Sequence, residues 1–235
     1  MKQLPKLEIA IALLLATSSA AVAHQNDDIV FAGRLTDSAV ETIIERLSVF
    51  PQRRLVITSA GGEETAGARL GEYVYQNRTP VVVRDLCLSA CANTLLMAAP
   101  SVDFEPGAVV GMHHSAVSII QSYRRMGEVP PTDLVLAANI QEAIYRTQAG
   151  GVALLECAAE KVGQMDHYVE RANADGEMRR LFGLQLRWWI PDQSTLESMG
   201  VAVRNGRVNE SPARIALQLN VPTAEIAFGT TRDCL

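Results

Sequence analysis

At 235 residues, 48% of them hydrophobic and 20% charged, the protein is long enough to bury one sizeable core, and its length suits one domain better than two. Its formal net charge is −5, and no block of Lys and Arg is present that could track phosphates, which speaks against nucleic acid as a partner.

Residues 1–23 have the layout of a secretory signal peptide: Lys2 and Lys6 come first, then the apolar run from Ile9 to Ala16, then Ala21-Val22-Ala23. That run is shorter than the roughly 20 residues needed to cross a bilayer, and Glu8 borders it. Cleavage is expected between Ala23 and His24, with an uncleaved anchor as the alternative. Residues 24–235 then form one domain with no membrane span, in a periplasmic or secreted setting.

From Asp28 to Gly111 short strand-like runs alternate with helix-period segments, an α/β rhythm. Ile29-Val30-Phe31-Ala32 reads as a strand. Ser38 to Phe50 reads as a helix with Val40, Ile43, Ile44 and Leu47 on one face and Thr36 or Asp37 as N-cap. Leu55 to Thr58 is the second strand, Glu63 to Gln76 a helix with carboxylates in its first turn, and Pro80 to Arg84 opens the third strand. Ala90 to Ala99 reads as a buried helix, followed by strands near Ser101 to Phe104 and Ala108 to Met112. The second half is expected to be mostly helical: Leu134 to Val162, interrupted at Gly150-Gly151, then a charged helix from Asp166 to about Leu186. A short helix starts at Ile190-Pro191-Asp192 and ends at Gly200, and a strand follows at Val201 to Arg204. The polar tail after it carries no clear signal.

The four cysteines, Cys87, Cys91, Cys157 and Cys234, all lie in the mature part. An oxidising compartment favours pairing, and four cysteines permit three connectivities. Free buried thiols are the alternative. Cys87 and Cys91 lack the His neighbours of a zinc site, so no metal is expected.

Three short segments carry the chemistry: Thr58-Ser59-Ala60-Gly61-Gly62, Cys87-Leu88-Ser89-Ala90-Cys91, and Val110-Gly111-Met112-His113-His114. Gly61-Gly62 ahead of a helix exposes backbone N–H groups that can hold an oxyanion, or it is an ordinary strand-to-helix turn. Ser89 stands where a strand gives way to a helix, beside the amide of Ala90, which suits a nucleophile and equally an N-cap. His113 ends an apolar strand, where its imidazole can accept a serine proton, while His114 faces the opposite side of a regular strand.

In this order and spacing the three segments resemble the Clp-protease/crotonase superfamily, especially its exported branch with a Cys-x-Ser-Ala-Cys sequence. The match runs from about Ile29 to His114 and resumes at Ile190 to Val201. The resemblance implies an α/β fold of the ClpP/crotonase type, with β-β-α turns stacked into a superhelix, and a homo-oligomer. It implies Ser89 as nucleophile, His113 as base, and Gly61, Gly62 and Ala90 as the oxyanion and substrate-binding backbone. The position where the family keeps its triad aspartate falls near Trp188, so Asp192, Asp166 and Glu156 are the candidates for an acidic partner.

Three functions compete. The first is an exported serine hydrolase, a peptidase acting on a peptide or protein substrate without a cofactor. The second is an inactive Clp-like scaffold that binds an envelope protein or peptide. The third, acyl-CoA chemistry, suits an exported protein poorly, and fold alone does not choose among them.

Overall fold

The computed structural model describes residues 28–148, 151–162, 168–172, 178–182 and 187–229. Residues 1–23, Asp166 and Cys234 lie outside the described residues.

Strand β1 (Ile29–Ala32), helix α1 (Asp37–Val49), strand β2 (Leu55–Ser59), helix α2 (Glu64–Asn77) and strand β3 (Val81–Leu88) follow the expected alternation. In α1, Val40, Ile43 and Leu47 form the buried stripe, and Thr36 Oγ1 caps the helix by accepting the Ala39 N–H at 3.3 Å. Leu55, Val56 and Ile57 are buried in succession because β2 is an interior strand covered on both faces. After β3 the backbone makes a wide π-helical turn, Cys91–Leu96, all of it buried, where an ordinary helix was expected. Helix α2 lies directly on it. A Cβ at Gly67 would stand 2.7 Å from Ala90 Cβ, and one at Gly71 2.6 Å from Thr94 Cγ2, so these two positions admit no side chain. Strands β4 (Val102–Phe104) and β5 (Val109–Gly111) complete this half.

Helices α4 (Thr132–Tyr145) and α5 (Ala153–Val162) match the helical reading of the middle, and helix α3 (Ala116–Arg125), ahead of them, was not read from the sequence. The charged stretch that follows does not. Strands β6 (Tyr168–Ala172) and β7 (Met178–Phe182) pair antiparallel, with Val169 across from Leu181. The helical expectation there rested on charge rather than on an apolar stripe. Asp175-Gly176, a dipeptide favoured between hairpin strands, stands between the two runs and was the better signal.

Strand β8 (Trp188–Pro191), helix α6 (Gln193–Ser198), strand β9 (Val203–Asn205), helix α7 (Pro212–Leu219) and strand β10 (Ile226–Gly229) finish the described residues. The tail without a sequence signal thus supplies α7 and β10, and β10 pairs parallel with β8. The second half is mixed rather than purely helical.

The main sheet runs β1-β2-β3-β4-β9, all parallel, with β5 beside the second half of β3. The α/β class read from the sequence is borne out: the sheet is mostly parallel and helices cover it. What positions the site is an irregularity in β3. Val83 pairs with Ile57 but Cys87 pairs with Ser59, so β3 carries two more residues than β2 over the same stretch. The bulge exposes Arg84 and Asp85, and across it β3 changes neighbour, from β4 at Val81–Val83 to β5 at Leu86–Leu88. Beyond β5, Met112 and Trp189 exchange both main-chain bonds at 2.8 Å, which brings β8 alongside. Asn209 fixes the same junction: its Oδ1 accepts the Val110 N–H at 2.9 Å, and its Nδ2 donates to the carbonyls of Val110 and Pro191.

A charge network ties the residues that lead into β1 and β2 to strands β4 and β9. Asp103, 9% exposed, accepts from Arg54 Nη1 at 3.3 Å, from Arg204 through Nε and Nη2, and from Asn205 Nδ2 at 3.1 Å; Arg54 also holds Asp28. The bond from Arg204 is the main cause holding the Asp103 carboxyl below its ordinary range, against a smaller upward push from burial. A carboxyl depressed in the folded state stabilises above its unfolded pKa, and that stability is lost as pH falls through the folded value. Asp103→Asn is therefore expected to cost roughly 2 kcal/mol at pH 7. In denaturant titrations at stepped pH, the gap from wild type should close below about pH 4.

Candidate active site

Ser89 follows the last residue of β3 in the left-handed conformation, φ +55°. A non-glycine residue pays on the order of 1 kcal/mol or more for that conformation and keeps it only where its surroundings over-determine it. Three restraints do so here. The Ser89 N–H donates to Gly111 O at 3.0 Å, continuing the β3–β5 pairing, and the Ser89 carbonyl accepts the Asn93 N–H at 2.7 Å. A disulfide joins Cys87 to Cys91, both fully buried, and closes a ring around the serine. Of the cysteines named from the sequence, Cys157 is disulfide-bonded as well, and the described residues contain no free thiol.

The turn needs room beside it. Gly61, at φ +89°, supplies this room: a Cβ there would stand 2.5 Å from Ser89 Cβ and 2.6 Å from Leu88 O. The bridge between Leu35 and Gly62 is made by the amides of Leu35 and Glu63, which leaves the Gly62 N–H outside the ladder. Ala90, fully buried, opens the helical turn after Ser89, where an amide has no intrahelical acceptor.

His113 arrives from the next strand over. Its Nε2 lies 2.5 Å from Ser89 Oγ, a hydrogen bond across 24 residues of sequence. The Trp188 ring packs on the imidazole with centroids 4.9 Å apart, delivered by the Met112–Trp189 exchange one residue away on each strand. Burial lowers the His113 pKa from 6.5 to about 4, so the ring is neutral at pH 7 and Nε2 can accept the serine proton. His114 turns the other way, as the strand alternation requires. It is buried, its Nε2 has no partner among the described residues, and it lines a separate cavity of about 210 Å³ with Ser118, Glu156 and Glu160.

The expected acidic partner is not where the sequence suggested. Asp192 is the N-cap of α6: its Oδ1 accepts the Thr195 N–H at 2.7 Å and the Ser194 hydroxyl at 2.8 Å. Burial pushes that carboxyl up, but the bonds from Thr195 and Ser194 outweigh it and hold it below its usual range. Both bonds land on Oδ1 and serve the helix cap, worth about 1 kcal/mol, and no bond joins Asp192 to His113. Glu156 is exposed and accepts from Gln121 at 2.7 Å, on the His114 side. Among the described residues no carboxylate bonds to His113, and the aromatic face of Trp188 stands against the ring instead. The sequence marks the position of Trp188 but not its role, since a tryptophan in an apolar run reads as core.

Ser89, His113, Gly61 and Gly62 line one pocket of about 330 Å³, together with Ala60, Trp188 and Arg34. The Gly61 N–H, expected among the oxyanion donors, is spent on Ser59 Oγ at 3.1 Å, which leaves the Gly62 N–H as the unbonded glycine amide beside a hydroxyl and a neutral imidazole.

No family model matches the protein, and no curated protein does. Among solved structures it is similar to the ClpP protease catalytic domain from Plasmodium falciparum, at 12% identity and a TM-score of 0.38, over 56% of this protein and 72% of that one. At that level the likeness bears on none of the side chains above.

The geometry sets two expected outcomes. Gly61→Ala must displace Ser89 or Leu88 and is expected to abolish labelling of Ser89 by a fluorophosphonate, with a loss of roughly 2 kcal/mol in stability. Replacing Cys87 and Cys91 together by alanine should lower the labelling rate at least tenfold while circular dichroism still reports a folded protein. An unchanged rate would mean that the disulfide does not hold the turn.

Proposed function

We propose that the protein is an exported serine hydrolase of the peptidase class, with Ser89 as nucleophile and His113 as general base. The observation that carries this reading is the 2.5 Å approach of His113 Nε2 to a Ser89 hydroxyl held on a left-handed turn. Ser89 Oγ attacks a substrate carbonyl carbon as its proton passes to His113 Nε2. The carbonyl oxygen, now negative, is held by the amides of Gly62 and Ala90. Collapse breaks the bond to the leaving amine, which takes the proton from His113 and departs. Water, deprotonated by the same nitrogen, then hydrolyses the acyl ester on Ser89.

Among the described residues no carboxylate stands by to stabilise the imidazolium, and the apolar Trp188 packs on the ring in its place, so turnover is expected to be slow. That replacement also favours a second reading, an inactive groove that binds an envelope peptide. Export is part of the proposal: it is supported by the N-terminal pattern and agrees with buried disulfides, which persist in oxidising compartments.

Fluorophosphonate labelling of the purified protein separates the two readings. Labelling lost in Ser89→Ala supports the hydrolase; its absence throughout pH 6–9 selects the groove. The pH profile is a sharper check. A protonated imidazole cannot accept the serine proton, so the rate should be flat above pH 5 and half-lost near pH 4. Trp188→Ala hydrates the ring, and its midpoint should move up toward 6.5. A wild-type midpoint already near 6.5 would mean that His113 is not desolvated.

A further inference from the structure

The pocket in front of Ser89 contains one fixed charge. Arg34 lines it, and the other lining residues are Ala60, Gly61, Gly62, Ser89, Trp188 and the neutral His113. Its backbone is clamped on both sides: the Gly33 N–H donates to Thr58 O at 3.0 Å, and the Leu35 N–H to Gly61 O at 2.9 Å. The Glu63 N–H returns to Leu35 O at 2.9 Å. These bonds tie the Arg34 backbone to the Gly61-Gly62 segment, so the residue is carried on the rigid wall of the site rather than on a free loop.

The guanidinium itself is unspent. Three other arginines of this half are spent on ion pairs, Arg54 with Asp28 and Asp103, Arg69 with Asp37, and Arg84 with Glu105. Arg34 has neither a hydrogen bond nor an ion pair to any of the described residues, and it is exposed to solvent at the pocket mouth. A planar fork of donors matches a carboxylate with two parallel bonds, and such a bond strengthens where a bound substrate excludes water. The rest of the lining offers apolar carbon, backbone amides and a neutral ring, none of which repels an anion.

We infer that Arg34 is a specificity residue that selects substrates bearing a carboxylate next to the scissile bond, from an acidic side group or from the C-terminus of a peptide. This rests on the hydrolase reading for the word scissile, but its test does not need turnover. In a Ser89→Gly background, which removes the hydroxyl and suits the positive φ, binding of fluorescent tetra-alanine peptides is measured by anisotropy at low salt. Four amidated peptides carry Glu at each position in turn, four carry Gln, and a further pair differs only in a free or amidated C-terminus.

Expected is a preference of about fivefold or more for Glu over Gln at one position, or for the free acid over the amide, and its loss in Arg34→Gln. Arg34→Lys should keep part of it, since a point charge replaces the fork. Whichever arm shows the preference identifies the source of the carboxylate. Equal binding in every pair, no binding of any peptide to millimolar concentration, or a preference that survives Arg34→Gln overturns the inference. If the preference holds and the wild-type protein still fails to cleave the preferred peptide or take a fluorophosphonate, the hydrolase reading falls and the carboxylate site stands.

Discussion

The left-handed turn at Ser89 is the constraint around which the rest of the site is arranged. A serine at φ +55° does not hold itself there, and each neighbouring element contributes to holding it. The bulge in β3 shifts the end of the strand from β4 to β5, so that Ser89 can bond to Gly111. Gly61 leaves the space that the turned serine fills, and Gly67 and Gly71 let α2 close on the helical turn that follows. The disulfide from Cys87 to Cys91 spans the turn in the buried layer beneath it. A strained residue at a strand end, restrained from several sides and lining a cavity, suits the role proposed for Ser89.

Electrostatics around the turn follow from burial more than from pairing. His113 and His114 are both pushed to about 4, chiefly by desolvation, so both are neutral at pH 7. Glu64, in the first turn of α2, is pushed by burial to about 7 despite the bond it accepts from Gln141, and it belongs to the packing of α2 against α4 rather than to the pair. Among the described residues, the His113 imidazole is thus ready to accept a proton and poorly supported once it has one. In a triad the carboxylate reverses that second half; here Trp188 reinforces the first. The charges that are well paired, Asp103 with Arg54 and Arg204, tie the entry of β2 to β4 and β9 and stabilise the fold rather than the site.

Local signals were legible wherever one face of an element meets the core. The strand Ile29–Ala32, the stripe of α1 and the buried run of β2 each follow from side-chain period, which is a property of adjacent residues. Ser89, His113 and Gly61-Gly62 were legible as three segments because strand ends and glycine pairs leave marks in sequence. Their meeting was not derivable from spacing, and it came from the resemblance. The hairpin of β6 and β7, the parallel pairing of β8 with β10 and the clamp at Asn209 went unread, since pairing between distant strands depends on what the rest of the fold leaves exposed.

Asp192 and Trp188 mark the boundary most clearly. Sequence alone determined the α/β rhythm, the place of Ser89 at a strand-to-helix junction and the lack of an aspartate at the expected distance from Gly200. Tertiary structure decided what each of these residues does. Asp192 has good local donors in Thr195 and Ser194, and a cap bond formed within four residues needs no long loop to close before it can form. Trp188 meets His113 only because Met112 and Trp189 exchange bonds across 77 residues, a pairing set by the whole fold.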